Sequence, residues 1–128
     1  MFELRKTFRF EAAHSLPNVP AGHQCARLHG HSFSAEIVVR GALDPHLQWV
    51  VDYADISAVC KPIFDELDHN HLNVIAGLEN PTSEVVCLWL WGRISSNLRG
   101  LYAITVRETC NSACTYFGPT AAAPMPEV

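Results

Sequence analysis

Two stretches of strict alternation constrain this chain more than anything else in it, because each carries its apolar row into histidines. Over residues 2–14, Phe2, Leu4, Phe8 and Phe10 take even positions, while Glu3, Arg5, Thr7 and Arg9 take odd ones. Successive strand side chains point to opposite faces, so this spacing predicts a half-buried strand over residues 2–13. Lys6 interrupts the apolar row, and His14 continues it. Over residues 31–40, Phe33, Ala35, Ile37 and Val39 oppose Ser32, Ser34, Glu36 and Arg40, and the odd row runs back through His31 and His29. Both predicted strands therefore have an inward row with imidazole at one end.

The second row emerges from Cys25-Ala26-Arg27-Leu28-His29-Gly30-His31. On an extended strand His29 and His31 share a face and can bind a single Zn²⁺, and Gly30 lets the backbone approach the ion. His14 is the third candidate ligand. Three neutral histidines leave a fourth position open, as in a catalytic zinc site. A competing assignment puts Cys25 in place of His14 and moves the site towards a closed structural one. It ranks second, since a thiolate held just outside a cation is activated by it.

The length of 128 residues predicts one domain, over residues 1–118, with a flexible C-terminal tail over 119–128 rich in Ala and Pro. The formal charge is −4, Lys6 and Lys61 are the sole lysines, and no basic stripe is present, which speaks against nucleic-acid binding. No apolar run is long enough to span a bilayer. Met1 to Lys6 lacks the apolar core of a signal peptide, and the five cysteines form no disulfide-like frame. The cytoplasm is the expected compartment. Cys60, Cys87, Cys110 and Cys114 read as small buried hydrophobes.

Turn residues fill 16–22 and 41–45. Asp52 is a plausible N-cap for a helix that carries Ile56, Val59, Cys60, Ile63, Phe64 and Leu67 at three-and-four spacing, with Pro62 expected to distort it. Asp68 to Asn73 reads as a polar loop. Asn80-Pro81-Thr82-Ser83-Glu84 starts a second helix, with Val85, Val86, Leu88, Trp89 and Ile94 as its apolar face and an end near Arg99-Gly100. Strands follow over 101–107 and 113–117. The order ββααββ predicts an α+β domain, a four-stranded antiparallel sheet with two helices packed on one face. Its open edges favour a homo-oligomer.

Cys25, Asp68 and His69 offer a thiol, an imidazole and an orienting carboxylate. The alternative for Asp68 and His69 is helix C-capping and solvation. Glu108, closing an apolar strand, could accept two hydrogen bonds from the guanidine-like edge of a heterocycle, or pair with Arg107.

Together F-x-A-A-H (10–14), C-x-x-x-H-G-H (25–31), L-D-H (67–69), N-P-T-S-E (80–84) and E-T-C (108–110) resemble the 6-pyruvoyl-tetrahydropterin synthase family, from about Phe8 to Tyr116. The three residues between Cys25 and His29 are similar to its carboxy-forming branch, which serves queuosine (7-deazaguanine) synthesis. The resemblance implies a tunnelling fold assembled into a homo-oligomer, a hexamer, with active sites between subunits. It implies Zn²⁺ on His14, His29 and His31, Cys25 as general base, and Asp68 and His69 as relay partners. Glu108 would anchor the pterin, with Thr82 and Ser83 lining its pocket. The implied substrate is 7,8-dihydroneopterin triphosphate, which loses triphosphate and acetaldehyde to leave a 6-carboxy group. Rival expectations are the pyruvoyl-type elimination, which stops after triphosphate loss, and a non-catalytic zinc- or pterin-binding oligomer. Relatives often carry basic residues at the positions of Ser15 and Gln24, so Arg27 and His23 are the nearest candidates for the triphosphate. Relatives often have Tyr where His71 stands.

Overall fold

In the computed structural model, which describes residues 1–109 and 111–119, the alternating stretches are long strands. Cys110 and residues 120–128, most of the expected tail, lie outside the described residues. The elements run β1 (Phe2–His14), β2 (His29–Gly41), α1 (Tyr53–Leu67), β3 (Asn70–His71), α2 (Ser83–Ile94), β4 (Leu101–Thr109) and β5 (Ser112–Tyr116). β1 and β2 pair antiparallel along their whole length, from Phe2 opposite Gly41 to His14 opposite His29. β4 pairs with β2 and β5 with β4, both antiparallel.

The expectation of a four-stranded, purely antiparallel sheet needs correction. The sheet has five strands in the order β3-β1-β2-β4-β5. Asn70 and His71 pair parallel to Ala12 and Ala13 of β1. Nothing in that polar pair alternates, because its pairing comes from tertiary docking. The Glu11 N–H donates to Asp68 Oδ1 at 2.8 Å, and the His69 N–H donates to the Glu11 carbonyl, which lays residues 70–71 along the edge of β1.

Both helices cover the face that carries the apolar rows. Asp52 caps α1 by accepting the Ala54 N–H at 2.9 Å. The helix buries Ile56, Cys60, Ile63, Phe64 and Leu67 and runs through Pro62 as one element. Pro62 and Ala58 are both exposed, so water can satisfy the carbonyl left without a donor. α2 starts at Ser83, with Thr82 as its cap, and ends at Ile94, short of the expected Arg99-Gly100. Its buried face is Val86, Cys87, Leu90 and Ile94, whereas Leu88, expected inside, is 52% exposed. Cys60 and Cys87 are buried as expected, and Cys114 is half-buried.

Phenylalanines stack both between sheet and helix and across neighbouring strands. Phe8 lies 4.8 Å from Phe64 and Phe10 lies 4.9 Å from Phe33, centroid to centroid, both nearly parallel. Phe33 is 1% exposed and also meets His14 and His31 edge-on at 5.3 and 5.7 Å. It joins the core to the histidine end of the sheet. Replacing Phe33 with Ala is expected to cost about 3–5 kcal/mol, measured by urea denaturation of the metal-free protein.

Candidate active site

Strand register builds the metal cluster. His14 pairs with His29 across β1 and β2, and His31 sits two residues on, opposite Ala12. The ring centroids of His14 lie 4.6 Å from His29 and 5.3 Å from His31, and His29 and His31 are 4.7 Å apart. One ligand atom from each of the three falls within 4.8 Å of the others. This is the single such cluster of three or more His, Cys, Asp or Glu among the described residues, and Cys25 is not in it.

Backbone carbonyls orient two of the rings. His14 Nδ1 is 2.9 Å from the Pro81 oxygen and His29 Nδ1 is 2.7 Å from the Arg27 oxygen. A carbonyl can only accept, so each Nδ1 carries a proton, and in the neutral form of each ring the lone pair lies on Nε2. His14 is 1% exposed, and its Nε2 is buried without a hydrogen-bond partner. Burial holds its pKa below the ordinary histidine value, with the Pro81 hydrogen bond and the charge of Glu108 opposing that shift. An orphaned neutral nitrogen costs about 1–3 kcal/mol unless something accepts its lone pair. A divalent cation held by the three histidines would do so, and the donor set fits zinc.

Glu108 stands beside the cluster. Its Oε2 is 4.0 Å from His31 Nε2, and its Oε1 accepts a hydrogen bond from Ser83 Oγ at 3.1 Å. Ser83 opens α2, and Thr82 accepts the Val85 N–H at 3.1 Å as the N-cap. Among the described residues Glu108 makes no ion pair with Arg107; its ionisable neighbour is His31. A groove of about 490 Å³ runs past Glu108, lined by Ser83, Glu84, Ser112, Ala113 and Cys114.

On the other side of the cluster, Asp68 and His69 form a fixed pair. His69 Nδ1 lies 3.0 Å from Asp68 Oδ2, and His69 takes a φ of 57°, in the left-handed region that non-glycine residues seldom occupy. Asp68 ends α1 through its backbone N–H, bonded to the Phe64 carbonyl, while its side chain turns to β1. The Glu11 N–H, and then His69, hold its carboxyl below the usual carboxylate range, so it stays ionised. His69 opens on a cavity of about 520 Å³ that Glu11, His31, Ser32, Asn70 and His71 also line.

Cys25 and Arg27 lie in a separate turn. Residues 24–26 form one turn of 3₁₀ helix, in which the Cys25 N–H donates to His23 Nδ1 at 3.0 Å. The Cys25 carbonyl accepts the Leu16 N–H at 2.8 Å. Among the described residues no hydrogen bond or ion pair joins Cys25 to Asp68 or His69. Sequence reasoning missed the Pro81 carbonyl and the Ser32 hydroxyl, which donates to both oxygens of Glu11 at 2.7 and 2.8 Å. The turn chemistry around Pro81 signalled a helix start but not a partner 67 positions away in sequence.

Comparison with known proteins agrees with this geometry. Residues 3–119 match the family described as 6-pyruvoyl tetrahydropterin synthase, and the chain belongs to that family. It is 38% identical over 125 residues to the 6-carboxy-5,6,7,8-tetrahydropterin synthase of Synechocystis, covering 93% of this chain and 95% of that protein. It is also 38% identical over 91 residues to the dihydroneopterin monophosphate aldolase of Pyrococcus furiosus, covering 71% of this chain and 73% of the relative. The 6-pyruvoyl tetrahydropterin synthase of Caenorhabditis elegans superposes with a TM-score of 0.85 at 25% identity, over 92% of this chain and 96% of that one. The α+β architecture is thus the tunnelling fold of these enzymes. Among the described residues no helix is long and apolar enough to cross a membrane.

The state of His14 sets a pH dependence. Its pKa is lowered on folding, so below about pH 6.5 the unfolded chain binds a proton that the folded chain resists. Stability of the metal-free protein is expected to be full above that pH and to fall on acidification until the folded form also protonates. Denaturation midpoints taken between about pH 8 and pH 5 check this. A His14→Phe variant should show a shallower slope, and an unchanged slope would assign the effect to other groups.

Proposed function

We propose that this protein is a zinc-dependent 6-carboxytetrahydropterin synthase, converting 7,8-dihydroneopterin triphosphate and water to 6-carboxytetrahydropterin, acetaldehyde and triphosphate in queuosine synthesis. The single observation that carries the proposal is a buried His14 Nε2 without a partner, inside a three-histidine cluster whose neighbour is the braced carboxylate Glu108. The identity to the Synechocystis enzyme, over nearly all of both chains, supports the carboxy-forming reaction.

In this proposal Glu108 accepts two hydrogen bonds from the pyrimidine edge of the pterin, while Ser83 Oγ fixes the carboxylate's orientation. Thr82 keeps the start of α2 in place beneath Ser83. The closeness of Glu108 to His31 brings the pterin's hydroxylated side chain over the histidines. Zinc held there by His14, His29 and His31 would supply Lewis acidity, easing the build-up of negative charge on the side-chain oxygens. Cys25 as thiolate removes a proton from side-chain carbon. His69, its Nδ1 tied to Asp68, uses Nε2 to move protons at the oxygens. Two electrons pass from the side chain into the pterin ring, which goes from the dihydro to the tetrahydro level. The side-chain carbon beside the ring is oxidised to the carboxyl level with oxygen from water, triphosphate leaves, and the carbon–carbon bond breaks to release acetaldehyde. No external redox cofactor is needed. Arg27 and His23, both exposed, are the nearest candidates by sequence to contact the triphosphate.

The lack of a direct bond between Cys25 and Asp68–His69 among the described residues fits a homo-oligomer, a hexamer, in which neighbouring chains complete each site. So does the sheet edge: β3 covers only Ala12 and Ala13, leaving the outer side of residues 2–11 without a strand among the described residues. An aldol-type cleavage of a dihydroneopterin phosphate is a second reading, favoured by the equal identity to the Pyrococcus aldolase.

Incubation of zinc-loaded protein with 7,8-dihydroneopterin triphosphate is expected to yield acetaldehyde and 6-carboxytetrahydropterin. A pyruvoyl product would move the chain to the elimination-only reaction, and a 6-hydroxymethyl pterin to the aldolase. No turnover with zinc bound would leave a binding protein. Cys25→Ala should reduce turnover at least about 100-fold with zinc stoichiometry unchanged, and loss of zinc instead would make Cys25 a ligand.

A further inference from the structure

We propose that Asn73 is a positioning residue for the metal cluster, holding His14 and the carbonyl that orients its ring as one unit. Asn73 lies in the short 3₁₀ turn Leu72–Val74, anchored by Leu72, which is 0% exposed. Its side chain engages three backbone groups, with both N–H donors used. Oδ1 accepts the Ser15 N–H at 2.9 Å, while Nδ2 donates to the Ser15 carbonyl at 2.8 Å and to the Glu79 carbonyl at 3.1 Å.

These partners are informative because of what adjoins them. Ser15 directly follows His14, the last residue of β1. Beyond His14 the chain leaves the sheet, so strand hydrogen bonds no longer hold it. Two reciprocal bonds from one amide replace that restraint for Ser15. Glu79 lies two residues before Pro81, whose carbonyl accepts a hydrogen bond from His14 Nδ1. One amide therefore ties the backbone carrying the imidazole to the loop carrying its acceptor, and the aim of Nε2 depends on both. The amide orientation is also determined, since two carbonyls require NH₂ and one N–H requires oxygen. A carboxylate could not replace it, because it would face two carbonyl oxygens without a donor.

Neighbouring Asn80 provides a comparison. Its Oδ1 accepts the Asn18 N–H at 3.2 Å, tying the same loop to residues 16–22, and among the described residues the amide makes no bond to Ser15. Loosening the loop at Asn80 leaves the His14 clamp intact.

This inference rests on the metal reading of the three histidines, and Zn²⁺ affinity measured by competition with a chromophoric chelator tests the two separately. Failure of the wild-type full chain to bind Zn²⁺ would overturn the metal reading itself. With wild-type binding established, Asn73→Ala is expected to bind Zn²⁺ about 10–100-fold more weakly. Asn73→Asp should lose at least as much, and Asn80→Ala should stay within about twofold of wild type. Far-UV circular dichroism of the metal-free variants confirms that folded chains are being compared. If Asn73→Ala does not fold, Asn73→Ser serves in its place. Wild-type Zn²⁺ affinity in a folded Asn73 variant would overturn the proposal, as would an equal loss in Asn80→Ala, which would reduce Asn73 to general loop support.

Discussion

The antiparallel register of β1 and β2 is the constraint on which the rest of the molecule depends. His14 opposite His29, Ala12 opposite His31 and Phe10 opposite Phe33 form one continuous face. A slip of one residue would turn one strand's whole row to the other side, burying Glu and Arg and exposing Phe. The hydrophobic face therefore enforces the pairing that assembles the histidines. Core and candidate metal site are two ends of one surface, joined by Phe33, which packs on Phe10 and stands edge-on to His14 and His31.

Around that face, loops act as fixtures for chemistry. The turn after α1 is pinned by Glu11, whose N–H and carbonyl hold Asp68 and His69. The turn before α2 presents the Pro81 carbonyl to His14, and the first residue of the helix presents Ser83 to Glu108. Backbone groups far away in sequence hold Asp68, His69 and His14, and a side-chain hydroxyl from the start of a helix orients Glu108. The left-handed His69 is tolerated because bonds on both sides of it over-determine its backbone.

Much of this was legible before any coordinates. Period-two rows located β1 and β2 nearly to the residue, Asp52 announced α1, and the His-Gly-His spacing declared two imidazoles on one face. Legibility failed where tertiary contacts overrode local pattern. β3 has no apolar signal because it exists only through docking on β1. The buried face of α2 was misplaced at Leu88 because an almost uniformly apolar helix carries little directional information, and packing on β4 and β5 selects the face.

Residue types and spacing by themselves determined that two inward rows end in histidine, that a thiol precedes one of them, and that the chain alternates into an α+β domain. Side-chain periodicity is a local property of the backbone, so it can be read from sequence. Only the tertiary structure decided that the three imidazoles converge, that Pro81 and Arg27 orient two of them, and that Glu108 turns to His31 and Ser83 rather than to Arg107. Those outcomes depend on which distant backbone groups and loops are brought into hydrogen-bonding distance, and strand register and helix docking settle that across the whole chain.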